Sequence, residues 1–94
     1  MLSKIPIDLD HIDESNIDKE VLRAGIIAEY DAINLYEQMA SLAKSNDIKK
    51  VMLDVAKEEK EHVGEFQTLL LHLDKEQVEE MQGGKEEVEE LIGR

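Results

Sequence analysis

Cysteine is absent from the sequence. Disulfides, thiolate zinc sites, iron–sulfur clusters and a rubredoxin-type iron centre are therefore excluded, and any metal held by these residues must take oxygen and nitrogen ligands. Basic residues are scarce: 11 lysines and arginines stand against 23 acids, a formal charge of −12. That balance argues against nucleic acid or an anionic membrane as partner and favours the attraction of cations. Long apolar runs are missing as well. No stretch approaches the roughly 20 apolar residues that span a bilayer, and MLSKIPIDLDHID at the N-terminus lacks the apolar core of a secretory signal. The expectation is a soluble, cytoplasmic protein with no membrane partner.

What is present is a short chain of 94 residues, one small domain whose core stays modest unless a partner chain or a metal adds to it. Residues 1–16 carry Pro6 and a loose alternation of Ile5, Ile7, Leu9 and Ile12 with polar residues, which fits an extended N-terminal arm and equally a partly ordered tail. Two stretches of strong helix formers, about 18–44 and 48–73, are separated by Ser45-Asn46-Asp47, which offers a break and an N-cap. Asp74 can cap a shorter segment, KEQVEEMQ, expected to stop at Gly83-Gly84 before KEEVEELI resumes helical character. The fold class is thus all-α: an antiparallel hairpin over 17–73 and a short helical tail or connector over 74–94.

On the first helix Leu22, Ile26, Glu29, Ile33, Tyr36 and Ala40 follow at steps of four and three, so they share one stripe. On the second, Ile48, Met52, Val55, Glu59, His62, Phe66, Leu69 and Leu73 repeat that stepping. Glu29, Glu59 and His62 are the interruptions in otherwise apolar rows. Counted from Asn46 in the connection, Glu29 lies 17 residues back, Glu59 13 forward and His62 16 forward. At ~1.5 Å per residue the three fall within about one helical turn of a common height.

An isolated carboxylate in an apolar seam is costly or is forced neutral. Three such groups converging at one level imply a compensating cation between them. Glu59-x-x-His62 sets a carboxylate and an imidazole on one helical face, and Glu29 adds a carboxylate from the other helix. That is half of the ligand set of a carboxylate-bridged di-metal site in a four-helix bundle. A homodimer about a two-fold axis through the site completes it, because a two-fold contact presents the same patch from both subunits. Val21, Ala24, Ala28, Ala32, Leu35, Met39 and Leu42 form a second apolar strip that a lone hairpin leaves uncovered, which independently calls for a further protein neighbour.

These residues resemble the encapsulated ferritins, two-helix ferritin-like proteins. The resemblance is carried by AEYDAINLYEQ at 28–38, DVAKEEKEH at 54–62 and the 30-residue interval from Glu29 to Glu59. It covers about 18–73 and extends through LDKEQVEEMQGGKEEVEEL toward the archaeal type, in which such a domain precedes an encapsulin shell protein in one chain. It implies a ferritin-like four-helix bundle formed by two chains, a decameric ring of such dimers, and a location inside an encapsulin compartment. It also implies a di-iron ferroxidase centre with Glu29, Glu59 and His62 as iron ligands and Tyr36 as an aromatic neighbour. Asp31 would correspond to an acid on the route by which iron enters. Ala28 stands where bacterial stand-alone members carry another acid, and Leu35 stands where they carry a tryptophan. A terminal shell-targeting peptide is not evident, which fits the front part of a longer chain.

Several residues have plainer readings. Glu58, Glu61 and Glu65, with Lys57 and Lys60 between them, fit a solvated helix face. His72 suits the C-terminal end of its helix dipole, and His11 supports no assignment. Asp8, Asp10 and Asp13 lack the glycine and terminal glutamate of an EF-hand, which leaves calcium or another divalent ion only as an adventitious occupant. Gly25 and Gly64 weaken their helices and fit close helix approach. The rival functions are a purely structural dimerisation bundle and a rubrerythrin-like peroxide reductase, the latter disfavoured by the missing cysteine-bound electron-transfer centre.

Overall fold

The computed structural model describes Asp8 and residues 14–94. Most of the expected N-terminal arm therefore lies outside the described residues. A 3-10 turn, Glu14–Asn16, leads into α1 (Ile17–Leu42), then α2 (Asn46–Leu73) and α3 (Lys75–Ile92), with no strand among the described residues.

The break between α1 and α2 follows the local chemistry of its residues. The N–H of Ala43 still bonds to Met39 O at 3.0 Å, but Ala43 itself is extended and ends α1. The Ser45 hydroxyl oxygen then accepts from the N–H of Ile48 at 3.3 Å, satisfying one donor that the first turn of α2 leaves open. Only three residues lie between the helices, so α1 and α2 fold back against each other along their length.

Ile33 and Ala40 from α1 and Ala56, Val63 and Leu70 from α2 form the buried apolar seam. Within each helix these recur at steps of seven, the spacing of a coiled-coil seam. The expected stripe of α1 is recovered, its members being buried or half-buried. That of α2 is turned: Ile48, Leu69 and Leu73 are exposed, and Leu70 occupies the seam instead. With about 100° per residue, the centre of contact on α2 runs through 56, 63 and 70, which leaves the 55–62–69 row on the rim.

Asp74 joins α2 to α3 as a single residue. Its N–H closes α2 on Leu70 O at 2.9 Å, while its Oδ1 accepts from the N–H of Gln77 at 3.0 Å and so caps α3. Oδ2 pairs with the Arg23 guanidinium of α1 at 3.0 Å. The bond from the Gln77 backbone, with Lys19 and Arg23 nearby, holds the Asp74 carboxyl below its ordinary value of 3.8, against an opposing push from burial.

The tail differs from the sequence expectation: α3 runs unbroken through Gly83 and Gly84. Two glycines weaken a helix by about 1 kcal/mol each relative to alanine, but strong formers flank them. Side-chain pairs reinforce the same stretch, Gln82 to Glu86 at 3.1 Å and Lys85 to Glu89 at 3.7 Å. The glycine that does stop the helix is Gly93, at φ 78°, where the left-handed conformation ends α3.

The radius of gyration is 16.6 Å and the extents are 46 × 44 × 19 Å. A compact chain of this length would have a radius near 12 Å. The excess arises because α3 leaves the hairpin with Val78, Met81, Val88, Leu91 and Ile92 exposed. No described helix is long and apolar enough to cross a membrane.

Candidate metal centre

Glu29, Glu59 and His62 converge on the rim of the hairpin. One ligand atom from each lies within 4.8 Å of the others, and no other such group of three occurs among the described residues. His62 Nδ1 is 3.4 Å from Glu29 Oε2 and 3.5 Å from Glu59 Oε2. α1 contributes one carboxylate, and α2 brings the other two groups together because three residues make nearly one turn.

Burial is uneven in a way that matters chemically. The side chains of Glu29 and Glu59 are 16% and 19% exposed, whereas that of His62 is 43% exposed. Glu29 Oε2 is buried and has no hydrogen-bond partner. A carboxylate oxygen removed from water without a donor is destabilising, and two acids beside one imidazole repel each other. Both costs are relieved by a cation among the three side chains. The donor set is two carboxylates and one imidazole nitrogen, which suits iron, zinc or manganese.

The open side of the cluster is mixed: exposed Glu58 and Glu65 lie one turn either side of His62, and apolar residues follow about two to three turns away. On the helical wheel Val21 and Met39 flank Glu29, and Leu69 and Leu73 flank His62 on the same rim of the hairpin. All four are exposed, Met39 at 39% and Leu69 at 53%. The opposite rim holds the Lys60–Glu37 ion pair at 3.2 Å. It also holds a groove of about 340 Å³ lined by Arg23, Ile26, Ile27, Gln67 and Leu70 with Gln77 and Met81 of α3. The cluster thus faces away from α3.

The other residues singled out from the sequence fall elsewhere. Tyr36 is half-buried on the face of Glu29, two turns nearer the connection. Asp31 is buried, about 200° round α1 from Glu29, and does not join the cluster. His72 is exposed in the last turn of α2, consistent with its plainer reading. Asp8 is exposed; Asp10, His11 and Asp13 lie outside the described residues. Glu58, Glu61 and Glu65 are exposed, as expected of a solvated face. The close helix approach expected at Gly25 is present one turn from the cluster, where a Cβ would stand 3.2 Å from the Phe66 ring, whereas at Gly64, for which the same was expected, a Cβ would meet nothing within 4 Å. The signal for the Phe66 partner was available, since Gly25 lies 21 residues before Asn46 and Phe66 lies 20 after it.

Comparison with known proteins agrees with this architecture. The family model described as Rubrerythrin matches residues 20–92. A ferritin-like–encapsulin shell fusion protein of Pyrococcus furiosus is 64% identical over 74 residues, 79% of this chain and 21% of that protein. An encapsulin nanocompartment cargo protein of Myxococcus xanthus is 41% identical over 56 residues, 60% of this chain and 43% of that protein. This chain therefore spans about a fifth and under half of the length of these two relatives. The crystal structure of the encapsulated ferritin domain from Pyrococcus furiosus matches all of this chain and 98% of that one, with 54% identity and a TM-score of 0.85.

Proposed function

The chain belongs to the rubrerythrin family and, within it, to the encapsulated ferritins, and we propose that it oxidises iron(II) to iron(III) at a two-iron centre formed between two copies. Di-iron oxidoreductase chemistry is general in this family, and the donor set of Glu29, Glu59 and His62 fits iron. The observation that carries the reading is the convergence of those side chains around a buried Glu29 Oε2 that has no hydrogen-bond partner.

A single hairpin supplies too few ligands for an octahedral ion, and the exposed apolar rim beside the cluster favours a second hairpin there. Two copies bring four carboxylates and two imidazoles, a formal charge that balances two iron(II) ions. Iron(II) is the substrate, with dioxygen as the electron acceptor. Glu29 and Glu59 favour the harder iron(III) product through oxygen ligation, and His62 offers Nδ1 as the nitrogen donor. The apolar rim excludes water once paired, which strengthens these electrostatic interactions. Tyr36 is the aromatic residue on the face of Glu29, about two turns away, whereas Asp31, buried on the far side of α1, is left out of the centre.

A hairpin encloses no volume in which mineral could be stored. We therefore place the chain within a cytoplasmic encapsulin compartment, in dimers assembled into a decameric ring, with the shell protein as partner, fused or separate. The two curated relatives, a shell fusion and a compartment cargo protein, support this. Iron oxidation in air, followed by iron(III) absorbance in the parent and in Glu29→Ala, Glu59→Ala and His62→Ala, tests the activity. Rapid oxidation in the parent and its loss in each variant are expected; equal rates in all four would reject the assignment. The rival enzyme reading, a peroxide reductase, is disfavoured by the absence of cysteine for an electron-transfer centre and would consume peroxide without accumulating iron(III).

A further inference from the structure

We propose that Gly25 and Phe66 together form the spacer that fixes the separation of Glu29 and His62, an inference that rests on the metal-binding reading above. Gly25 lies one turn before Glu29 in α1, and Phe66 lies one turn after His62 in α2. The two pairs are adjacent rungs of the hairpin, about 6 Å apart along its axis. A Cβ at position 25 would meet Cδ2 and Cε2 of the Phe66 ring at 3.2 Å. Ring carbons, unlike the end of a flexible side chain, retreat only if the whole ring or its helix moves.

Helix propensity alone favours alanine at this position. Gly64 shows the contrast. It lies two residues from His62, is exposed, and a Cβ there would meet nothing within 4 Å. Only Gly25 is held against a neighbour, and that neighbour is on the rung next to the ligands. Relieving the contact takes a shift of a few tenths of an ångström, carried by the whole ring or its helix on the rung next to the ligands, which uses up much of the roughly 0.5 Å within which a metal centre's donors must be held. Gly25 is a positioning residue, acting through Phe66 and the spacing of α1 and α2.

The test uses the intact protein, with anaerobic cobalt(II) titration read by its d–d absorption and crystal structures of the metal-free variants. Gly25→Ala is expected to weaken cobalt binding about tenfold or more, alter the band pattern, and widen the helix spacing at Glu29 and His62. Adding Phe66→Leu to Gly25→Ala is expected to restore both, while Gly64→Ala changes neither. If Gly25→Ala does not fold, Phe66→Leu is compared with the double variant: equal affinities support the spacer, and weaker binding by the double variant overturns it. Parent-like affinity and spacing in a folded Gly25→Ala also overturn it. Should the parent bind no cobalt, the metal reading fails, and the helix spacing of metal-free Gly25→Ala still decides the spacer.

Discussion

Glu29 Oε2 and His62 Nδ1 approach to 3.4 Å from opposite helices of the hairpin. Along the stripe that faces the partner helix, Ile26 and Ile33 bracket Glu29, and Val55 and Phe66 bracket Glu59 and His62, so the three polar side chains interrupt an otherwise apolar contact. The hairpin's stability and its site can be tested separately, because the residues that hold α1 and α2 together are not those that converge on the rim.

The phase of α2 gives the first expectation. Leu70 is 5% exposed in the seam and Leu69 is 53% exposed on the rim. Leu70→Ala is expected to destabilise by about 2–5 kcal/mol, read by urea unfolding. Leu69→Ala should leave hairpin helicity intact and weaken self-association, read by sedimentation. The reverse pattern would show the seam to be one residue out of phase.

Ser45 gives the second. Its hydroxyl is the side-chain cap of α2, so Ser45→Ala should cost about 1 kcal/mol. For a chain of this size that lowers the melting temperature by roughly 4–8 °C. Ser45→Asp, which retains the acceptor, should recover most of the loss.

Asp74 gives a pH dependence of known sign. Its carboxyl is held below 3.8 in the fold, so its charged form contributes stability above that value, and the contribution is lost as pH falls through the lowered one. The parent should therefore melt above Asp74→Ala at neutral pH, and the two should converge in acid. A difference that grows below pH 3.8 would contradict the cap and the Arg23 pairing.

Much of this structure was legible in the sequence. The two long helices, a cap within 45–47 and another at Asp74 follow from residue type, and the common level of Glu29, Glu59 and His62 follows from spacing, since helix geometry fixes both height and face. The phase of α2 was not, because Leu69, Leu70 and Leu71 are chemically identical and three neighbouring rows fit the pattern. Packing against α1 selects among them, and local periodicity carries no record of that. Gly83 and Gly84 were misjudged for a similar reason: their cost is small against the formers and side-chain pairs around them. The Gly25–Phe66 contact depends on how closely two helices approach, which spacing suggests but does not state.

The central claim is that two copies of one cluster enclose two irons. Anaerobic iron(II) titration followed by native mass measurement tests it most directly. The expected result is a species of two chains with two irons, or an even-numbered multiple of it in the same ratio, that disappears in His62→Ala. Iron bound at full occupancy to single chains, or no specific iron species in the parent, would contradict it.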